Sequence, residues 1–430
     1  VVFAQKNSDG PTSVTKRVVV SSATPTPTPK PTATPVPPAT PAPTPKPTAT
    51  PVPPATPTPT PAPTRTPAGT SVSTAAQLTA AFSAAKGGET IILKSGNYGA
   101  VTLSGKSFSS AVKIVSEVQA GAKFTSLILR QVDNVLLQSV RVDMTQVGDN
   151  YGLQVLDSAN ITVRSNVLYA VDFNGGKNIY MNNVRNVLVE ANDISTTNDG
   201  VHTNGYLENV TFKGNSIMHR HDVIPVGAHA DTFQFRSGPV NGLKILGNVY
   251  GYAHQNVFQQ NIGTGPWKNI EISGNVSLTK GTGLSGKHVF LSTVENVVVE
   301  GNTFASTTPG GYSQGIVATV SGTFVVRNNI FYNAMYVNFG KVSNYNLFYA
   351  DVKPAFSGYG SLSALQAGTG QDKNSAVADP KFVNLAAENV RLQSSSPAIN
   401  KGAALAIEPI DIYGTARPRG GAWDIGAVEY

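Results

Sequence analysis

Asn269-Ile-Glu-Ile-Ser-Gly-Asn275 is answered one period later by Asn296-Val-Val-Val-Glu-Gly-Asn302. The same phrase runs through the middle of the chain. It reads Asn160-Ile-Thr-Val-Arg-Ser-Asn166, Asn186-Val-Leu-Val-Glu-Ala-Asn192, Asn209-Val-Thr-Phe-Lys-Gly-Asn215, Leu243-Lys-Ile-Leu-Gly-Asn248 and Phe324-Val-Val-Arg-Asn-Asn329. The closing asparagines stand 26, 23, 33, 27, 27 and 27 residues apart. That period is too short for a strand, a crossover helix and a second strand, and too long for one strand and a turn. It suits one coil of a solenoid with three short strands. Within each phrase the apolar side chains alternate, as in Ile161/Val163, Val210/Phe212 and Ile270/Ile272. Period two with one apolar face means a strand laid on a core. The expected class is therefore all-β, a right-handed parallel β-helix of about ten stacked coils. Asparagine tolerates the left-handed backbone of a sharp corner, and its amide can bond to the asparagine one coil away, so these residues read as structural.

The rhythm is framed by different material. Ser21 to Gly69 holds 19 of the chain's 29 prolines and contains one unit twice, Pro29 to Pro41 and Pro45 to Pro57. Such a segment has no apolar side chains to bury and reads as an extended spacer. The expected organisation is an N-terminal leader remnant over 1–20, a Pro/Thr-rich linker over 21–69, and a β-helix domain over 70–430. The opening Val1-Val2-Phe3-Ala4-Gln5 looks like the tail of a cleaved signal peptide, which predicts a secreted, extracellular protein. Cysteine is absent, which a large β-core permits in either redox compartment. No stretch from Thr70 onward is apolar and long enough to span a bilayer. Thr74-Ala-Ala-Gln77 is a capping-box pattern, followed at helical spacing by Leu78, Ala81 and Phe82 before Lys86-Gly87-Gly88. It predicts a short helix over the first coil.

Net charge is +7, but residues 1–70 carry six basic residues and one acid, leaving 26 basic and 24 acidic residues for the domain. Global charge therefore does not name a ligand, and no basic stripe with interleaved aromatics points to nucleic acid.

The Asn-ended repeat, the leader Ala75-Ala-Gln-Leu through Gly-Gly-Glu-Thr-Ile-Ile-Leu93, and the ending from Ser396-Pro-Ala-Ile-Asn-Lys-Gly to Asp424-Ile-Gly-Ala-Val-Glu-Tyr430 together resemble secreted bacterial pectate-lyase-like β-helix proteins, including alginate- and chondroitin-type polysaccharide lyases. The resemblance covers roughly residues 71–430. It implies the pectin-lyase-like fold and a carbohydrate-active enzyme, and the same scaffold also carries hydrolases, epimerases and binders. Asp199-Gly-Val-His202 and His229-Ala-Asp-Thr-Phe-Gln-Phe235 also look like a branch of β-helix proteins with a His-x-Asp-x-Ile/Phe-Gln motif.

Aligning the strands that precede the asparagine phrases predicts outward columns of polar residues. One reads Tyr180, His202, Gln234, Gln259 and Phe290; the next reads Asn182, Asn204, Arg236, Asn261 and Ser292. Stacked amides with an aromatic, a histidine and an arginine suit sugar hydroxyls and a carboxylate, although amide ladders also satisfy one another along a solenoid. The longest spacer, after Asn215, holds His219, Arg220, His221, Asp222 and His229, and a long loop on a rigid solenoid is expected to wall a site.

β-Elimination on a uronic-acid polymer such as alginate or pectate needs carboxylate neutralisation, a base for the C5 proton and an acid for the leaving oxygen. The expected catalytic residues are His202, Tyr180 and Arg236. The expected substrate-binding residues are Lys177, Asn182, Asn204, Gln234, Gln259, Asn261, Arg220, His221 and His229. The alternative is a glycoside hydrolase using Asp199 and Asp231, one coil apart, or a non-catalytic carbohydrate-binding solenoid. A metal is left open, Ca²⁺ being the candidate and no other cofactor implied. The expected partner is an anionic polysaccharide, with neither nucleic acid nor membrane involved, and the expected state is a monomer. Deleting residues 21–69 is expected to leave the domain folded with an unchanged melting temperature, read by circular dichroism; a clear drop would show that the linker packs on the domain.

Overall fold

The computed structural model describes residues 69–144, 151–170, 176–219, 230–236, 238–260, 265–280, 282–308, 310–335, 337–351, 356 and 358–430. The leader and nearly all of the linker lie outside them, as do Arg220, His221, His229 and Asn261. The described residues fall in one compact unit, Thr64–Tyr430.

Each coil lays down three short parallel strands, one on each of three faces. One coil runs through Asp231–Phe235, Val240–Leu246 and Val249–Gly251, and the next through Gln255–Gln259, Trp267–Ser273 and Val276–Thr279. Every strand pairs with its counterpart one coil on. On the third face Ile194, Ile217, Tyr250, Ser277, Phe304, Phe331 and Phe348 follow one another in register. The result is a right-handed parallel β-helix of about ten coils, with 26 strands in one continuous sheet among the described residues. Inward side chains fill the tube with Val, Ile, Leu and Phe, among them Phe212, Phe233 and Phe235, all inaccessible to solvent. No helix among the described residues is long and apolar enough to cross a membrane.

The closing asparagines form a buried ladder. Asn248 Nδ2 donates to Phe212 O at 3.0 Å and to Asn275 Oδ1 at 3.0 Å, while Asn248 N donates to the same Oδ1 at 2.9 Å. The pattern repeats at Asn166, Asn192, Asn215, Asn275, Asn302 and Asn329. It ends where Asn346 Nδ2 meets Asp372 Oδ1 and Asn346 N meets Ser375 Oγ. The structure corrects one detail: the left-handed residue is the one before the closing asparagine, as at Gly247 (φ 59°) and Gly274 (φ 68°). The opening asparagines Asn160, Asn186, Asn209, Asn269 and Asn296 are themselves left-handed, at φ between 52° and 59°. They make a second, exposed amide ladder, for example Asn186 Nδ2 to Asn160 Oδ1 at 3.0 Å.

Helix α1, Ala75–Ala84, caps the first coil as expected. Gln77 N donates to Thr74 Oγ1, Ser73 N donates to Gln77 Oε1, and Leu78 and Phe82 are buried. At the far end helix α2, Leu362–Thr369, sends Leu365 into the core. The remaining chain does more than close the end. It returns along the third face, where Phe382, Val390, Leu392, Ala398, Ile425, Ala427 and Val428 pack on the outward apolar strip of Val276, Leu278, Ala305, Ile330 and Leu347. Arg417 is buried there among Asp411, Asp424 and Glu429. Burial pushes the Asp424 and Glu429 carboxyls up and the guanidinium of Arg417 down.

Two expectations follow. Asn275→Ala strands two donors on Asn248 and the acceptor at Ile245 O, so it should cost roughly 2–4 kcal/mol in denaturant unfolding, against under about 1 kcal/mol for Asn269→Gly on the exposed ladder, where glycine holds the left-handed backbone without strain. The second concerns His288, fully buried between Ser277 Oγ (2.8 Å) and Ser313 Oγ (2.9 Å). Burial pushes its pKa down to about 3, below the ordinary 6.5. The folded state thus binds its proton less readily than the unfolded chain. Its contribution is complete above about pH 6.5 and is lost as pH falls toward 3, by about 1.4 kcal/mol per pH unit. Unfolding free energies between pH 6.5 and 4 should show a correspondingly shallower slope in His288→Gln.

Candidate active site on the first face

The site is built from side chains pointing outward from the first-face strands. Register puts Tyr180 beside His202, His202 beside Gln234, Gln234 beside Phe258 and Phe258 beside Phe290. Gln259, expected in this column, is not in it. Asp231 pairs with Gln255 rather than Asn256, so Gln259 pairs with the inward Phe235 and is itself buried, its Oε1 accepting from Ser292 N at 2.8 Å. The His254 N to Ala230 O bond sets this coil one residue earlier than the alignment assumed, and Val257 takes the core position. In a strand, a one-residue slip exchanges the two faces. Phe258 therefore replaces Gln259 on the surface. Gln260, whose N donates to Phe235 O, stands beside Arg236 where Asn261 was expected.

Ahead of this column, at the corner where the chain enters the face, Asp199 and Asp231 lead successive coils and are both buried. Asp199 has both oxygens engaged: Oδ2 meets His202 Nδ1 at 2.9 Å, and Oδ1 accepts from Asp231 N at 3.1 Å. Its carboxylate thus orients a histidine and ties two coils together. His202 is 1% exposed, and its Nε2 has no hydrogen-bond partner among the described residues.

Around it Tyr180, Asn182, Asn204, Lys177 and Arg236 are half-buried, while Gln234 is buried. The Tyr180 hydroxyl accepts from Asn182 Nδ2 (3.2 Å) and Asn204 Nδ2 (3.1 Å), which leaves its own proton to donate. Its ring stacks on Tyr151 at 4.1 Å and lies 5.8 Å from the His202 ring. The Lys177 ammonium lies 5.3 Å from the Tyr151 ring centre. Arg236 holds its place through its backbone N, which donates to Thr203 O at 3.0 Å. Gln234 Nε2 donates to Gln260 Oε1 at 3.3 Å.

Sequence reading missed two features. Phe258 and Phe290 form a surface pair 5.4 Å apart, hidden by the register slip. Lys287, in register with Gln255 and hence in the row of Asp231, sits 5.6 Å from the Phe290 ring. Burial pushes its amine pKa down, against the opposing charge of Asp231. Its place at the head of a first-face strand, where Asp199 and Asp231 stand on theirs, was the available signal. His219, read as part of the site wall, ends a third-face strand and lines a cavity there.

Calcium takes six to eight oxygen ligands. Among the described residues no three His, Cys, Asp or Glu converge on a metal position, and both Asp199 oxygens are committed to protein groups. The described donor set does not fit a Ca²⁺ site, and no step below runs through one.

No family model matches the chain, and no curated protein does. Solved structures do. Pectate lyase Pel9A superposes with a TM-score of 0.55 at 16% identity, over 81% of this chain and 90% of that one. A mannuronic-acid-specific family 6 polysaccharide lyase from human gut microbiota gives 0.48 at 12% identity, over 72% and 91%. An alginate lyase from Paenibacillus sp. str. FPU-7 gives 0.42 at 12% identity, over 66% and 96%. The structural class is thus the pectate-lyase-type β-helix, and its solved neighbours include pectate and alginate lyases. At these identities the likeness is one of fold.

Proposed function

We infer that the first face binds a uronic-acid polysaccharide and cleaves it by β-elimination. The observation that carries this reading is the Asp199–His202 pair beside Tyr180. Nδ1 is tied to a carboxylate, Nε2 is buried with no hydrogen-bond partner among the described residues, and a phenol that can donate its proton stands against the same ring. A base oriented by a carboxylate, next to a positioned acid, is what removal of the C5 proton and departure of the leaving oxygen require. Arg236, always charged, neutralises the substrate carboxylate and so stabilises the charge that develops as C5 loses its proton. It stands two coils from Tyr180, roughly 10 Å by strand spacing, room for one sugar ring and its linkages. Lys177, Asn182, Asn204 and Gln234 supply donors and acceptors along the strip. Tyr151 and Tyr180 at one end and Phe258 and Phe290 at the other offer apolar faces to sugar rings. Such work fits a secreted protein.

A second assignment within the same reaction rests on Lys287. An amine held down by burial gives up its proton more readily than an exposed lysine and can serve as the base. Variants separate the two. With polygalacturonate and alginate as substrates, product is read as the ultraviolet absorbance of the unsaturated sugar. His202→Ala should lower kcat by about 10²–10⁴-fold when assayed well below its melting temperature, which should itself fall because the buried Asp199 carboxylate loses its partner. Arg236→Ala should mainly raise KM. If Lys287→Met shows the large kcat loss and His202→Ala does not, the base is Lys287. Reducing ends without ultraviolet absorbance would overturn the lyase reading in favour of hydrolysis; neither signal would favour a binding protein.

A further inference from the structure

The polar strip on the first face runs further than the span from Tyr180 to Arg236. Register carries it toward the N-terminal cap: Tyr180 stands beside Gln154, and Gln154 beside Ile128. In the next row Asn182 stands beside Leu156, and Leu156 beside Arg130. On its other side Asn182 pairs with Asn204, and the bond from Arg236 N to Thr203 O sets Arg236 next in that row. Arg130 and Arg236 thus stand in one row with Leu156, Asn182 and Asn204 between them, four strand spacings apart, roughly 19 Å.

Where arginine stabilises this solenoid it is paired: Arg141, Arg164 and Arg327 each meet a carboxylate, on Asp143, Glu190 and Glu300. Arg130 is different. It is exposed, Arg236 is half-buried, and neither guanidinium has a partner among the described residues. Asp157, the acid that follows Leu156, is turned to Asn183, whose Nδ2 donates to it at 3.0 Å. The side chains between the two arginines are uncharged, and the neighbouring row of Gln154, Tyr180, His202 and Gln234 holds no acid.

Two permanent cations on a floor without acids suit two carboxylates of one ligand. One sugar of an extended 1,4-linked chain advances by about one strand spacing, so a chain laid along the solenoid axis keeps step with the coils. In a ribbon whose successive sugars face alternate sides, units an even number apart turn their carboxylates the same way. The two arginines, four spacings apart, then engage a first and a fifth unit. Gln154 offers its amide to hydroxyls along the way, and the half-buried Ile128 meets apolar C–H groups.

We propose that Arg130 is a second carboxylate-binding residue of the first face, which takes a flat uronate chain of about five or more sugars along the solenoid axis. This role rests on the uronate reading of the same face and adds the length and course of the bound chain.

Isothermal titration calorimetry on the full chain tests it, with trimers and hexamers of mannuronate and of galacturonate as ligands. Tyr180→Phe serves as the background, since it keeps the ring and removes the proton donor, so that ligand is consumed slowly. For at least one uronate the hexamer should bind about fivefold tighter than the trimer at low ionic strength, and the gain should shrink as salt is added. Adding Arg130→Ala should remove the gain and leave trimer binding as it was; Arg130→Lys should keep part of it. Neither change should move the melting temperature, because the side chain is exposed. If the hexamer binds no tighter than the trimer, or keeps its advantage without Arg130, the proposal is overturned even where the parent protein releases unsaturated product. If Arg130→Ala removes the advantage while the parent releases no unsaturated product, the long uronate site stands and the lyase reading falls.

Discussion

The buried asparagine amide is the constraint on which the rest depends. Each coil turns a corner between its second and third strands, and that corner leaves a backbone carbonyl and a backbone N–H where no strand partner can reach them. One carboxamide meets both needs and bonds its neighbour above as well, as Asn275 does with Ile245 O, Asn248 and Asn302. A buried polar group is tolerated only when satisfied, so each asparagine requires the next. The ladder thereby locks the coils from Asn166 to Asn346 to the same height and phase.

That phase makes a functional strip possible. In a solenoid, side chains at equivalent positions of successive coils stand one strand spacing apart, so residues distant in sequence become neighbours in a row. Tyr180, His202 and Gln234 meet in this way, and Asp199 reaches across one coil to Asp231 N. The corner leading into the first face is also polar inside. Thr232, Asn256 and His288 turn inward there and are satisfied by Asn256, Ser277 and Ser313. This polar seam breaks the alternation of the strands and lets consecutive residues such as Thr232 and Phe233 both face the interior.

The third face shows the complementary problem. Its outward strip of Val276, Leu278, Ala305, Ile330 and Leu347 is apolar, and a long exposed apolar strip invites association. The C-terminal segment covers it, held by a buried Arg417 among three carboxylates. The cavity at Tyr252 lies beside this covering, bounded by a coil on one side and the returning chain on the other.

The sequence by itself determined the fold class, because the asparagine period and the two-residue apolar alternation both record local backbone needs that recur in every coil. It also determined the helical cap, whose Thr74–Gln77 pattern closes within one turn. The register of the first-face strip was legible for the same reason: wherever the period held, counting from the asparagines placed Tyr180, His202 and Gln234 in one row and Arg236 beside Thr203 and Asn204, although His202 and Gln234 lie buried there. What failed were the positions that depend on a corner. The turn before Gln255 is shorter than the count assumed, so Gln259 went inside and Phe258 came out. Only the tertiary structure could decide that, because the register of a strand is fixed by the hydrogen bonds of its neighbour one coil away. It alone also brought Lys287 into the row of Asp231 and laid Glu388 across a cavity from Tyr252, since these join segments whose separation in sequence carries no signal of their meeting, and it alone showed His202 buried against Asp199.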